Sequence, residues 1–139
     1  MKAYIDTSVL TAAYCPEPGS ERAEQALREC EPMISSLTRL EFSSAVARKL
    51  RARTLTREEA ARIISQFHTH IREGVFECLA VLESHFLLAN DWIDALATPL
   101  RTLDAMHLAL AYASSARLIT ADAALAKSAR TLRITAMQL

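Results

Sequence analysis

Four acidic side chains stand where a strand gives way to a helix or where a helix begins. Asp6 directly follows the strand-like segment KAYI, and Asp122 follows the segment RLIT after one intervening residue. Glu41 falls in the first turn of the helix predicted after MISS, and Asp104 falls near the start of an apolar helix. Ligands of parallel sheets bind outside the carboxyl ends of the strands, near a change in strand order. We therefore expect all four carboxylates at one edge of a sheet.

Carboxylates gathered in this way point to metal chemistry. In a partly dry cleft they repel one another, and their pKa values rise unless a cation joins them. Mg²⁺ prefers oxygen ligands and keeps several waters, so one or two direct carboxylates are enough. Such ions suit phosphodiester cleavage, since one activates a water and a second, about 3.5–4 Å away, stabilises the leaving oxygen. Thr7, Ser8 and Thr120 would add hydroxyls around such a site.

Each acid also has a purely structural interpretation. Asp is a good helix N-cap, so Asp6, Asp104 and Asp122 are each compatible with simply beginning a helix. Thr38 and Glu41 have the spacing of a capping box, in which Glu41 would bond the Thr38 backbone. Ordinary turn chemistry explains the neighbouring hydroxyls equally well. A helix start tolerates a carboxylate that binds an ion, so the two interpretations are compatible and both stay open here.

Strand-like and helix-like segments alternate along the chain. The predicted strands are KAYI, EPMISS, VFECLAV, RLIT and LRIT, and helical segments separate them. This alternation is typical of an α/β fold in which a mainly parallel central sheet has helices on both faces. Thr56 and Glu59 predict a capping box for one helix, and Gly74 is placed to end it. We expect one domain over residues 1–139.

The composition is that of a globular domain. Hydrophobic residues make up 51% and charged residues 23%, which excludes a disordered chain. No apolar run reaches the ~18 residues of a membrane span, and the N-terminus does not read as a signal peptide. The three cysteines are an odd count without a CxxC motif, which favours reduced thiols in a cytoplasmic protein over a zinc site.

Charge and glycine content exclude two further classes. The net charge is zero, which argues against a protein that coats nucleic acid by bulk electrostatics but allows a local basic stripe. Only two glycines occur, Gly19 and Gly74, so the chain has no glycine-rich loop of the kind that binds nucleotide phosphates.

Four segments of the chain resemble the PIN-domain ribonucleases in order and spacing. They are YIDTSVL, the Glu of TRLEFSSAV, LRTLDAMHLALA and LITADAALAKSA. Within that family the sequence is most similar to the VapC-type toxins of bacterial toxin–antitoxin pairs, and the likeness covers essentially the whole chain. The resemblance implies that Asp6 and Asp104 are the main metal ligands. It implies that Glu41 and Asp122 complete the site directly or through water.

The resemblance also implies an activity and partners. Its members cut RNA with Mg²⁺ or Mn²⁺, often at one site in a structured RNA such as a tRNA or a ribosomal loop, and would leave a 5′-phosphate. They typically form homodimers, and a small antitoxin silences them by placing its C-terminal tail in the active-site groove. No membrane partner is implied.

Basic residues cluster at one helix end and the next helix start. They could form a basic surface that binds RNA phosphates beside the acids, or they could be an ordinary solvent-exposed charged face. These residues are Arg48, Lys49, Arg51, Arg53, Arg57 and Arg62. Arg101 is a further candidate, either for a substrate phosphate or for an ion pair with a neighbouring acid.

Aromatic residues and a histidine complete the candidates. Phe67, Phe86 and Trp92 could stack on bases, although aromatic residues at helical spacing are more often core or dimer contacts. His107 lies one turn after Asp104, where it could bond that carboxylate or act as a general base.

Other function classes fit the residues less well. A catalytically silent RNA-binding or antitoxin-binding module of the same fold stays open. A receiver-type phosphoacceptor requires paired acids after the first strand and a Lys after a late strand, and neither feature is present. A phosphatase using Asp6 as nucleophile wants an acid two residues later, where Ser8 stands.

Overall fold

A computed structural model describes the whole chain, residues 1–139, and contains five strands and seven helices. The strands are β1 (Lys2–Ile5), β2 (Glu31–Ser35), β3 (Glu77–Leu79), β4 (Arg117–Thr120) and β5 (Ala136–Gln138). The helices are α1 (Thr7–Tyr14), α2 (Ser20–Arg28), α3 (Ser36–Arg51), α4 (Arg57–Arg72), α5 (Glu83–Asp94), α6 (Thr102–Ala113) and α7 (Ala123–Thr131).

All strands pair in parallel in one sheet of order β3-β2-β1-β4-β5. The chain first builds outward from β1 to β3 and then returns to β4 on the other side of β1. The change in direction therefore falls between β1 and β4, which is where open parallel sheets bind their ligands. The predicted parallel α/β fold is confirmed.

Helices cover both faces of the sheet, because successive strand residues point to opposite sides. In β1, Ala3 and Ile5 belong to a core cluster built with α1 to α4, whereas Tyr4 belongs to a second cluster with α6 and α7. Helix α6 is buried at every position from 105 to 111, since it packs against both the sheet and α5. No helix is long and apolar enough to cross a membrane.

Both ends of helix α4 are as the sequence predicts. Thr56 accepts a hydrogen bond from the Glu59 backbone at 3.1 Å, and Glu59 accepts one from the Thr56 backbone at 2.7 Å. Gly74 ends the helix with a φ of 75°, a conformation that residues with a Cβ seldom adopt.

Two local predictions are wrong. The last strand is not LRIT but begins at Ala136, because Arg133 turns the chain with a φ of 59° before β5 pairs with β4. Helix α3 begins at Ser36 and its capping box joins Ser35 to Thr38, so Glu41 lies in the second turn and caps nothing.

Candidate active site

The four acids line one cavity of about 1130 Å³ at the carboxyl ends of β1 and β4. Asp6 follows β1, Asp122 follows β4, Glu41 comes from α3 and Asp104 from the first turn of α6. The structure thus brings together side chains that are far apart in the sequence, at the point where the strand order changes. Their functional roles stay predictions.

Asp6 is held by hydroxyls and does not cap its helix. Its backbone occupies the N-cap position of α1, but its side chain makes no capping hydrogen bond. Ser8 Oγ donates to Asp6 Oδ2 at 2.6 Å, and Thr120 Oγ1 donates to the same oxygen at 2.8 Å. Asp6 Oδ1 receives no hydrogen bond from the protein, although the residue is only 7% exposed.

Glu41 shows the same one-sided arrangement. Thr7 Oγ1 donates to Glu41 Oε1 at 2.9 Å, and His107 Nε2 makes a very short contact with that oxygen. Glu41 Oε2 has no protein donor. Burial alone would raise the pKa of Glu41, but the hydrogen bond and charge of His107, with the Thr7 hydroxyl, outweigh it and hold the pKa below its usual value.

Asp122 is a true N-cap and also lines the cavity. Its Oδ1 accepts from the backbone N–H groups of Ala124 at 2.8 Å and Leu125 at 3.1 Å, which leaves Oδ2 without a donor. Asp104 caps nothing, because Arg101 is the N-cap of α6. Burial raises the pKa of Asp104, and the negative charges of Asp122, Asp6 and Glu41 raise it further.

These contacts decide what the site can hold. No three acidic, histidine or cysteine side chains are close enough together to enclose an ion by themselves. Each of the four acids nevertheless keeps an oxygen without a protein donor. The negative charges of the other three acids disfavour ionisation of Asp104, and a bound cation would offset that effect. This donor set of carboxylate oxygens fits a hard divalent ion that retains much of its water, such as Mg²⁺ or Mn²⁺.

His107 bonds Glu41 and not Asp104, so the predicted contact with Asp104 is wrong. The ring lies on the face of α6 that packs against β1, where its Nε2 meets Glu41 and lies 3.8 Å from Asp6 Oδ1. Burial alone would lower the pKa of His107, but Glu41, Asp6 and Asp104 outweigh that effect and raise it.

The basic residues divide into two groups. Arg48, Lys49 and Arg51 line the cavity, whereas Arg53, Arg57, Arg62 and Arg101 do not. Lys49 is already paired, since its Nζ lies 2.7 Å from Glu17 Oε1. Arg48 and Arg51 form no ion pair, so they are the cavity's free cations.

The predicted stacking residues are not in the cavity. Phe67 is 1% exposed, and its ring centroid lies 4.3 Å from that of Phe42. Trp92 packs edge-on against Tyr112. Phe86 is 50% exposed on α5 and does not line the cavity. The core interpretation is therefore confirmed for Phe67, and Trp92 packs against the core, whereas Phe86 is not a core residue and a dimer contact there stays a prediction.

A buried polar group beside the site is not among the residues predicted from the sequence. The Tyr4 hydroxyl contacts Ser35, Thr38 and His107, all of them buried. The one signal available was a tyrosine in the middle of an apolar strand, since a buried tyrosine hydroxyl needs polar partners.

Comparison with known proteins decides the family. The family model described as PIN domain matches residues 3–130. This chain belongs to the PIN-domain family. The PIN domain is 27% identical over 128 residues to ribonuclease VapC3 of Pyrobaculum aerophilum, a match that covers 91% of this chain and 94% of that protein.

Solved structures show the same fold at low sequence identity. VapBC2 of Rickettsia felis, solved with a DNA fragment of its promoter, superposes with a TM-score of 0.71 at 15% identity and covers 99% of this chain and 98% of that one. VapC20 of Mycobacterium tuberculosis, described as a sarcin–ricin loop cleaving toxin, gives a TM-score of 0.71 at 15% identity, covering 91% and 94%. The resemblance to PIN domains inferred from the sequence motifs is confirmed.

Proposed function

We propose that this PIN domain is an endoribonuclease dependent on Mg²⁺ or Mn²⁺, acting in the cytoplasm as the toxin of a VapBC-type toxin–antitoxin pair. The observation that carries the proposal is one cavity lined by Asp6, Glu41, Asp104 and Asp122, each with an oxygen free of protein donors, beside two unpaired arginines. The family, and the name of the relative VapC3, support nuclease chemistry.

The chain's residues take distinct parts in this mechanism. Asp6 and Asp104 would hold the ion, with Glu41 and Asp122 completing the site directly or through water. When bound, the ion would supply an activated water and neutralise charge on the scissile phosphate. Glu41 Oε2 can accept a hydrogen bond from the attacking water and orient it, because its other oxygen is fully engaged.

The substrate side of the proposal concerns α3. Glu41, Ser44, Arg48 and Arg51 recur every three or four residues, so they share one face of the helix. Arg48 lies seven residues beyond Glu41, about 10 Å along the axis. We assign Arg48 and Arg51 to RNA phosphates flanking the scissile one, with a tRNA or rRNA loop as the substrate class. Lys49 would contribute only after leaving Glu17.

The partners are proposed from the structural neighbours. VapBC2 of Rickettsia felis and FitAcB of Neisseria gonorrhoeae share the fold, the latter with a TM-score of 0.69 at 17% identity. We infer that a cognate antitoxin binds this chain and blocks the acidic cavity. We also infer a homodimer, since α5 exposes large apolar side chains, with Phe86 50% and Leu87 60% exposed.

Cleavage of RNA by the purified protein tests the function. Wild type, Asp6→Asn and the control Asp91→Asn, which alters an exposed carboxylate on α5, are incubated with total RNA and Mn²⁺, with and without EDTA. We expect cleavage by wild type and control, lost in Asp6→Asn and in EDTA. Cleavage that survives both the substitution and the chelator would refute the metal mechanism.

A catalytically silent RNA-binding or antitoxin-binding module is the second candidate. It is favoured by one observation, the lack of three side chains close enough to enclose an ion. Calorimetric titration with Mn²⁺ separates the candidates. The enzyme requires binding that Asp104→Ala abolishes, whereas RNA binding without any binding of Mn²⁺ would favour the silent module.

A further inference from the structure

We propose that Tyr4 is a positioning residue for Glu41, acting through His107. The inference rests on the proposed nuclease function for its effect on activity, but the hydrogen-bond relay itself is a property of the folded chain. Tyr4 touches neither the cavity nor any of the four acids, so it has no direct part in the chemistry proposed above.

The relay is buried and continuous. Tyr4 is 0% exposed in the middle of β1, and its hydroxyl lies 3.0 Å from His107 Nδ1. The opposite ring nitrogen of His107 contacts Glu41 Oε1. Ser35 Oγ and Thr38 Oγ1 lie 2.8 Å and 3.0 Å from the Tyr4 hydroxyl on its other side. Burial raises the pKa of Tyr4 to about 12, so the hydroxyl keeps its proton.

The direction of the hydrogen bonds follows from the chemistry of the groups. An ionised carboxylate only accepts, so His107 Nε2 must carry the proton that faces Glu41. In a neutral ring Nδ1 then accepts, and the Tyr4 hydroxyl is the only donor in reach. Ser35 Oγ accepts from the Thr38 backbone N–H at 3.4 Å, and Thr38 Oγ1 accepts from the Ser35 backbone N–H at 3.3 Å. Each hydroxyl group therefore still has its proton available to donate to the Tyr4 oxygen.

The relay does not depend on the charge state of the ring. In a protonated ring both nitrogens donate, and the Tyr4 hydroxyl accepts from Nδ1 and donates to Ser35 or Thr38. Nε2–H faces Glu41 in either state. A phenylalanine at position 4 could serve neither arrangement, so the hydroxyl specifically holds the imidazole in place.

The consequence for the site is the orientation of Glu41. His107 and Thr7 both occupy Oε1, which leaves Oε2 for water or an ion. If the His107 ring rotates, Oε1 loses one of its two donors and the carboxylate is no longer fixed. Outer contacts of this kind typically change metal affinity or activity by about 10–100-fold when removed.

The test compares Tyr4→Phe with Tyr14→Phe. Tyr14 is a matched control, because its hydroxyl also contacts a histidine Nδ1, that of His70, at 2.5 Å. His70 lies on α4 and does not line the acidic cavity. Both variants lose one hydroxyl hydrogen bond to a histidine, and Tyr4→Phe also loses the contacts with Ser35 and Thr38. Urea denaturation therefore accompanies the assays, to show that each variant is folded under their conditions, and a positioning effect then appears only in Tyr4→Phe.

Three measurements give the outcome. In Tyr4→Phe we expect Mn²⁺ affinity by calorimetry to fall roughly 10-fold or more, kcat to fall within about 10–100-fold, and KM for RNA to stay near the wild-type value, since Arg48 and Arg51 are untouched. Tyr14→Phe should match the wild type in all three. Equal behaviour of the two variants, or a change confined to KM, would overturn the proposal.

Nitrogen-15 NMR of the wild-type histidines tests the relay without RNA cleavage and without any variant. We expect a proton on His107 Nε2. A neutral His107 protonated on Nδ1 alone would refute the relay even if the protein is an active nuclease. Conversely, a correct Nε2–H signal in a protein that cleaves no RNA would refute the proposed function and leave the relay intact.

Discussion

At the residue scale, three of the four acids are held by one oxygen and free at the other. Hydroxyl groups hold Asp6, a hydroxyl and an imidazole hold Glu41, and backbone N–H groups hold Asp122. A carboxylate fixed in this way keeps a lone-pair direction open without the freedom to rotate. Such preorganisation lowers the cost of binding an ion or a developing charge.

Thr120 tests this arrangement, because it is 0% exposed and donates to Asp6 Oδ2. Thr120→Val keeps the shape, removes that donor and leaves the Asp122 backbone N–H, 2.9 Å from Thr120 Oγ1, without its acceptor. We expect nuclease activity about 10–100-fold below wild type and a loss of about 1–3 kcal/mol in the free energy of unfolding. Activity assays and urea denaturation measure the two effects.

The control for Thr120 is Thr131→Val on α7. Its hydroxyl is exposed and donates only to the Lys127 carbonyl within its own helix. It should leave activity unchanged. Equal activity in the two valine variants would mean that the hydrogen bond from Thr120 to Asp6 does not contribute to activity.

Arg48 provides a second test at this scale. If Arg48 binds a phosphate, Arg48→Ala weakens RNA binding at all sequences and lowers the slope of log K against log salt concentration by about 0.7–0.9. Fluorescence anisotropy at several salt concentrations, with catalysis blocked by EDTA, measures this slope. Arg72→Ala, at the end of α4, is the control, since Arg72 bonds Thr69 and does not line the cavity. The same slope in both variants would argue against a phosphate contact.

At the element scale, α3 has two faces with separate tasks. Glu41, Arg48 and Arg51 line the cavity, whereas Phe42 and Val46 are fully buried against the sheet and α4. The apolar face therefore fixes how the functional face is presented. The stability of the α3–α4 pair is a precondition for the geometry of Glu41.

Phe67 on α4 is the residue to change in this pair. Its ring packs between those of Phe42, Tyr14 and Phe76, at centroid distances of 4.3, 5.4 and 5.7 Å. Phe67→Ala should lower the free energy of unfolding by about 3–5 kcal/mol, because it opens a cavity in the core. Leu40→Ala, at a position 70% exposed on α3, should cost within about 0.5 kcal/mol. Denaturant unfolding followed by circular dichroism compares the two, and a small loss in Phe67→Ala would contradict the packing.

At the scale of the whole molecule, the sheet order places the acids. Strand β1 lies at the centre with β2 on one side and β4 on the other, so the connections leaving β1 and β4 diverge. The cavity opens between those connections. Asp6 and Asp122 thus reach one cavity although the chain between them forms most of the fold.

The proposed homodimer is a property at this scale. Phe86 and Leu87 are neighbouring residues of α5 and are 50% and 60% exposed. We expect Phe86→Asp to convert a dimer into a monomer in sedimentation experiments, because a buried unpaired charge is costly at an interface. Val75→Asp, at a position 46% exposed between α4 and β3, beside residues of α1 and α2, should leave the dimer intact. A monomeric wild type would refute the dimer.

The sequence alone determined the alternation of strands and helices, the parallel sheet and three of the acids, Asp6, Asp104 and Asp122, at or next to helix starts. These features depend on local periodicity and on residue types next to each other, which a single sequence displays. It could not locate β5, because a turn at Arg133 with positive φ is not signalled by the residue type.

Tertiary structure decided which partner each group has. The sequence suggested Asp104 as the partner of His107, but the fold placed Glu41 and Tyr4 there. It also brought Arg48 to the cavity and left Arg101 outside it. These contacts join positions far apart in sequence, such as Asp6 and Thr120, 114 residues apart. Their formation depends on the order of the strands and on how the helices pack, and not on any local pattern.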